Sequence, residues 1–538
     1  RLFWSEIVFY VGFQMYIVAL PFLMKAFTRN TLRESGGLDG LSPEEINALV
    51  RENRSLARIA HWAAQAVAYI SIPLFTRSGK TAPTKLVLRA AIPRALILAG
   101  IPVIFFASGM VSASAALWIL TGLIAAQSFV QGLHITFQSG GIARLLGHPD
   151  VLSSERLRAN AIRTRWSAVI AILAPVLAGH IALIGNWMGK EGVGSAVIYG
   201  IYAGTVALSG LIYASIKLLS KPLPSDPNAK EDETGIPKTA GFGGALKNVF
   251  VSMKNGIKLV LGNRFLRVYV GLALLSALFA DPLVFNVLPE FVETVLAANP
   301  GAVEGILAWF GDIPLVGGVL NSIAAWFFKG LTGTPMGFFA MLIASSSIGS
   351  LLATSLIKPA RKLFSRLGFK TEEALAIPFY AIAALSVPAF WLMISTGSFW
   401  GLLGLYGLQT FLGSFAMILI TGVFQKNLDG FKKKRYQILS ATSFVSILAA
   451  IAATYLYGFV LSDIPIQTSL YIAAIATTIL GGFQLAAPWL MFRKDQRKKK
   501  PPSRAKPVEE DEEQAPSHEH SPEKGHLPNE NGPLSIGL

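Results

Sequence analysis

The chain of 538 residues contains no cysteine. Disulfides, thiolate metal sites and cysteine nucleophiles are therefore excluded. Charge is scarce as well: only 14% of residues are Asp, Glu, Lys or Arg, where a soluble chain carries about a quarter. The deficit falls in long blocks rather than evenly, which is how a chain threaded through lipid reads. The full Gly-x-x-x-x-Gly-Lys-Ser/Thr, His-Glu-x-x-His and Gly-x-Ser-x-Gly patterns are also missing. Their absence removes the phosphate cradle of an ATP-driven pump and the centres of two hydrolase chemistries. The chain is not read as an enzyme, and no catalytic residue, cofactor or metal is expected. Histidines 518, 520 and 526 near the end lack any fixed geometry for a metal.

What is present is apolar sequence in spanning lengths. Crossing a bilayer takes about 20 apolar residues. Blocks of that kind occupy 3–27, 59–76, 92–110, 115–137, 166–184 and 196–218. The chain opens on Arg1, so residues trimmed from its start are expected to precede it. The first block is too long for a signal-peptide core and has no convincing cleavage site, so it is read as a spanning helix. Six further blocks occupy 265–288, 336–357, 374–394, 399–424, 438–461 and 469–492. The segment between the two sets, rich in Pro, Asp, Glu and Lys, reads as a flexible joint.

The expected fold class is an all-α polytopic membrane protein with twelve transmembrane helices in two pseudo-symmetric six-helix halves. The halves are 1–219 and 243–492, joined by a cytoplasmic linker at 220–242 and followed by a disordered cytoplasmic tail at 493–538. An external hairpin is expected at 289–334, where Gly311, Asp312, Pro314, Gly317 and Gly318 interrupt an apolar run that includes Trp309, Phe310, Trp326, Phe327 and Phe328.

The net charge of +16 sorts with this count. Twelve spans place Arg77, Lys80, Lys85, Arg89, Arg144, Arg156, Arg158, Lys358, Arg361, Lys362 and the run 432–435 on one side. The excess of basic residues on cytoplasmic loops then puts both termini inside. The first outer loop is the exception, with Arg29, Arg33, Arg51, Arg54 and Arg58. Basic residues confined to short connections meet anionic headgroups, so nucleic acid is not an expected partner. The expected location is integral in a membrane, a bacterial inner (plasma) membrane.

Two connections carry a family likeness. Ser154-Glu155-Arg156-Leu157-Arg158-Ala159-Asn160-Ala161 leads to Pro175-Val176-Leu177-Ala178-Gly179, and Lys434-Arg435-Tyr436-Gln437-Ile438-Leu439-Ser440-Ala441 runs on to Gly458. Arg156 precedes Gly179 by the same offset as Arg435 precedes Gly458, as an internal repeat requires. Asn255-Gly256-Ile257-Lys258 through Arg264-Phe265-Leu266-Arg267 forms an amphipathic lead-in to the seventh block. Together these segments resemble the major facilitator superfamily, nearest to its drug- and siderophore-exporter branch. The loop after the second block, 75–85, lacks the acidic residue of that superfamily's pattern. The resemblance implies two halves rocking about a midplane site lined by the first, fourth, seventh and tenth helices.

Polar residues fall on those same blocks. Gln127, Gln131, His134 and Gln138 are spaced to share one helix face, which is costly against lipid and so faces protein or water. Asp281, beside Pro282, sits in the seventh block with Asn286; Gln14 lies in the first and Gln409, Thr410 and Ser414 in the tenth. These are the substrate and coupling candidates, with Asp281 as proton carrier or as counter-charge to a cationic substrate. Ser345, Ser346, Ser347, Gly349 and Ser350 read instead as a close-packing surface.

The function expected is secondary active, proton-coupled export of an amphiphilic or cationic small molecule by alternating access. The alternatives are a lipid or lysolipid flippase and a non-transporting receptor or assembly protein on the same scaffold. Expected partners are a small-molecule substrate, the bilayer and protons, with a monomer favoured.

Overall fold

Apolar blocks in lipid must satisfy every backbone polar group internally, so they become helices. The computed structural model describes residues 1–34, 36–37, 40–76, 82–107, 110–146, 153–189, 191–216, 242–299, 301, 304, 322, 328, 331–429 and 435–492. Within those helices some side chains fall outside the description, including those at 72–76, 139–146, 153–165, 279–282 and 425–437. The linker, most of the expected hairpin, the 77–81 loop and the tail lie outside the described residues.

The first half contains α1 (Leu2–Glu34), α2 (Pro43–Thr76), α3 (Pro83–Phe106), α4 (Ala113–Leu146), α5 (Ser153–Trp187) and α6 (Val193–Ala214). The amphipathic lead-in is α7 (Phe242–Gly262). The seventh span is α8 (Arg264–Pro282), a π-helical turn Leu283–Val287, and α9 (Leu288–Ala298). Then come α10 (Pro335–Arg366), α11 (Glu372–Ala384) with α12 (Ser386–Ser395), and α13 (Phe399–Asp429). α14 (Arg435–Tyr455), which ends in a second π-turn at Leu456–Val460, and α15 (Ile466–Phe492) complete the bundle.

Among the described residues, 11 helices are long and apolar enough to cross a membrane. α2 is the remaining long helix of the first half, consistent with a twelfth span; its first third is polar. Large apolar side chains stay exposed along the bundle, among them Leu96, Trp118, Leu173, Leu211, Leu352, Leu392, Ile479 and Trp489. In water such a girdle would be a liability; in lipid it is the contact surface.

The pairing of helices repeats between halves. In the first, α1 packs on α5 and α6, α3 on α4 and α6, and α2 on α4. In the second, the seventh span packs on α14 and α15, the α11–α12 span on α13 and α15, and α10 on α13. Two reciprocal pairs cross between halves, α5 with α10 and α2 with α14.

Close approach explains where glycine stands in these seams. A Cβ on Gly349 of α10 would overlap the Gly407 carbonyl of α13, and Ser345 donates to Leu403 O at 2.6 Å. Ser350 and Ser414 lie 3.1 Å apart and Thr410 donates to Ser346 at 3.3 Å, so the serine stripe is a packing surface between α10 and α13. Gly179 and Gly458, the pair matched by sequence offset, each stand at a cross-half seam. A Cβ on Gly179 would lie 3.0 Å from Gly337 Cα of α10, and one on Gly458 would overlap Ser55 of α2.

Two sequence readings are corrected. The seventh helix does not give way to the insertion at residue 289: α9 continues it to Ala298. Pro289, which has no N–H to donate, is accommodated because the ladder is already widened in the π-turn before it. Second, Arg51, Arg54 and Arg58 are not loop residues. α2 starts at Pro43, and all three are buried within it.

That start is a capping box: Ser42 Oγ accepts from the Glu45 N–H at 3.2 Å and the Glu45 carboxylate accepts from the Ser42 N–H at 2.7 Å. The Ser42 backbone N–H, then its hydroxyl, hold the Glu45 carboxyl below its ordinary range. A depressed carboxylate contributes above its unfolded pKa and is lost as pH falls through the folded value. Amide exchange over residues 45–48, corrected for intrinsic rate, is expected to accelerate on acidification. In Glu45→Gln, which has no carboxyl to protonate, that acid-dependent step should be gone.

Candidate functional site

α2 is the hinge of the site because it carries different chemistry on adjacent faces. Arg51, Ser55 and Arg58 recur at helical spacing and meet the second half, with Trp62 next at the same spacing. Arg51 Nε pairs with Glu290 at 3.1 Å, and its Nη1 donates to Ile464 O at 2.8 Å and Leu461 O at 3.2 Å. Ser55 Oγ accepts from Asn286 Nδ2 at 2.8 Å. The Arg58 guanidinium lies 3.8 Å above the Phe285 ring and 4.8 Å from that of Trp62. Thus Phe285 and Asn286 of one π-turn and Gly458 of the other both meet this face.

Arg54 points the other way and donates from Nε to Pro21 O of α1 at 2.9 Å. Lys25 of α1 forms an ion pair with Glu293 of α9. These contacts lie near the ends of α1, α9 and α14 and the start of α2. In an antiparallel bundle that is a single end. One end of the molecule is therefore locked across the halves by charge pairs and a glycine contact.

A second polar group occupies the core of the first half. Arg94, midway along α3, is fully buried. Its Nη2 donates to Gln131 Oε1 at 2.9 Å and to the Tyr202 hydroxyl of α6, and its Nη1 lies 3.3 Å from His134 Nδ1. Guanidinium has no acceptor, so His134 Nδ1 accepts and the ring proton stands on Nε2. The rings of Phe9 and Tyr202 each lie 5.1 Å from the guanidinium carbon. Phe13, Tyr16 and Tyr199 extend the aromatic lining; Tyr16 and Tyr199 meet edge to face at 5.6 Å.

The sequence-derived candidates divide between these places. Gln131 and His134 hold Arg94. Gln127 is buried one turn away and donates to Ser128, whose Oγ lies 2.5 Å from His61 Nδ1 of α2. Gln138 is buried, and its carbonyl lies 3.4 Å from the Tyr213 hydroxyl. Asn286 belongs to the cross-half face. Gln14 on α1 and Gln409 on α13 are half-buried. The Asp281 side chain lies outside the described residues; its backbone is in the last turn of α8, directly before the π-turn.

Arg94 was absent from the sequence candidates, although the signal was there. It is a lone charge two residues inside the third apolar block. Glu290 and Glu293 were hidden by placing the insertion boundary before them.

No family model matches the chain, and no curated protein does. Solved structures with a similar course include the nucleoside transporter NupG, at 12% identity and TM-score 0.46 over 90% of this chain and 98% of that one. A D-xylose-proton symporter is similar at 12% identity and TM-score 0.46, covering 91% of this chain and 96% of that one. A bacterial homologue of the human drug peptide transporters PepT1 and PepT2 is similar at 13% identity and TM-score 0.45, covering 90% and 97%. Likeness of this degree carries no argument about what this chain does, so the reading below rests on its own residues.

Proposed function

We propose that the chain is a secondary active transporter of the major facilitator type, moving a small molecule by rocking one six-helix half against the other. The observation that carries this reading is the cross-half lock at a single end. Arg51–Glu290, Lys25–Glu293 and the Ser55–Asn286 bond are polar contacts between halves whose helix pairing repeats. Such contacts can be exchanged for water in one motion, whereas a fused apolar core cannot. The π-turns on both sides of Ser55 supply irregular backbone where the halves meet, which is tolerable only where protein or water satisfies it. In this reading the basic connections lie inside, both termini are cytoplasmic, and the locked end faces outward in a bacterial inner membrane.

Proton coupling is placed on Asp281, at the foot of the first π-turn, and the direction is export. The cationic cargo expected from Asp281 gains no support from the described residues, because the buried charge in the core of the first half is itself a cation.

Proton flux driven by added substrate in proteoliposomes tests the assignment, with lipophilic cations, lysolipids and organic anions compared. Asp281→Asn is expected to abolish proton movement while substrate exchange persists. Undiminished proton flux in that variant would remove Asp281 from the coupling role. No exchange of any compound would count against transport itself.

A further inference from the structure

We infer that Arg94 binds the negative group of a small organic anion with a flat apolar body, held in the core of the first half among Phe9, Tyr16 and Tyr202. The inference rests on the transporter reading and names the chemical class of its cargo.

Arg94 is fully buried at mid-span, and the described ion pairs are Lys25–Glu293, Arg29–Glu191 and Arg51–Glu290. Arg94 has no carboxylate partner among the described residues. A guanidinium in hydrocarbon surroundings without a counter-charge is costly, and an intramembrane ionisable residue of this kind marks a site. Gln131, His134 and Tyr202 are hydrogen-bonding partners, but none carries a negative charge. A second buried cation, Arg58, has aromatic rings against it, and His61 lies within electrostatic reach of both guanidinium groups.

Arg94 Nε and His134 Nε2 are buried without a hydrogen-bond partner. The tautomer set by Arg94 makes the latter a donor, so both atoms offer N–H. Buried donors left unpaired in a folded protein call for an explanation, and a guanidinium N–H without a partner suits a carboxylate or phosphate oxygen.

Phe9 stacks against Phe13 at 6.0 Å, the Tyr16 and Tyr202 rings lie 5.4 Å apart, and Phe9 meets the His134 ring edge to face at 5.6 Å. These rings pack against one another beside the guanidinium, so a body that enters among them displaces aromatic contacts and meets apolar surface, which suits a flat apolar group better than a polyol.

The test uses three isosteres of different charge: benzoate, benzamide and benzamidine. Thermal unfolding of the full chain in detergent is followed with each. Benzoate is expected to raise the midpoint, with no rise from the neutral or cationic compound. Arg94→Gln should weaken the benzoate response about tenfold or more, and Arg94→Lys should retain part of it. A response to benzamide or benzamidine equal to that for benzoate overturns the proposal. So does silence toward all three, or an equal response to chloride, which has no apolar body. If Arg94→Gln does not fold, the ranking of the three compounds on the natural chain decides by the same criteria. Benzoate binding without benzoate uptake in proteoliposomes would keep the anion site and sink the transporter reading. Uptake of a lipophilic cation without any benzoate response would do the reverse.

Discussion

Glu290→Ala is expected to release the locked end of the bundle. The Arg51–Glu290 pair is buried, with side chains 5% and 11% exposed. Removing one member leaves the other charge buried and unopposed, at a cost of about 3–5 kcal/mol. If the pair exists only when this end is closed, that cost falls on the closed arrangement alone. The population then moves toward opening by about two to four powers of ten. The cysteine-free chain makes this measurable, because Ser462→Cys supplies the only thiol. Ser462 is 2% exposed, next to the Leu461 carbonyl that receives Arg51. Maleimide labelling of that thiol should be slow alone and fast when Glu290→Ala is added. Equal labelling rates would show that the pair does not hold this end shut. Glu293→Ala should do less, since Glu293 is 22% exposed and water can take over part of its role.

Gly458→Leu is expected to force the same seam apart by sterics instead of charge. Any Cβ at 458 overlaps Ser55, and Ser55 is fully buried between α2 and both π-turns. Overpacking a tight contact costs about 1–3 kcal/mol and sometimes more, and here the side chain has nowhere to turn. The Asn286–Ser55 bond should be lost with it. Gly200→Leu is the matched control, because a Cβ there meets nothing within 4 Å. Thermal unfolding of both variants in detergent, beside Ser462→Cys labelling, reads the result. A Gly458→Leu chain with the stability and labelling rate of Gly200→Leu would show that the seam is loose.

The two effects arise on one helix face, which explains how such a polar α2 survives in a membrane. Arginines at 51, 54 and 58 would be prohibitive facing lipid. Each instead has a second-half carboxylate, an α1 carbonyl or an aromatic ring against it.

The helical blocks were legible from composition because lipid leaves the backbone one solution, and length then sets the number of spans. The repeat between halves was legible in the equal offsets to Gly179 and Gly458. Those glycines stand where the helices of opposite halves touch, so spacing in the chain reflects spacing in the seam. The four polar positions of α4 were legible from helical period.

Their partners were not. Period shows that Gln131 and His134 share a face, but what they face depends on α3 passing beside them with Arg94 turned inward. Likewise Arg51 and Glu290 are far apart in sequence and read separately as a loop charge and part of an insertion. Only packing brings an arginine of the second helix to a glutamate of the seventh. The sequence by itself determined the spans, their duplication and which faces avoid lipid, since these follow from local hydrophobicity and helix geometry. Tertiary structure alone decided which of the described charges are paired and that Arg94 is buried with no carboxylate among the described residues against it, because burial and proximity belong to the assembled bundle and to no segment of it.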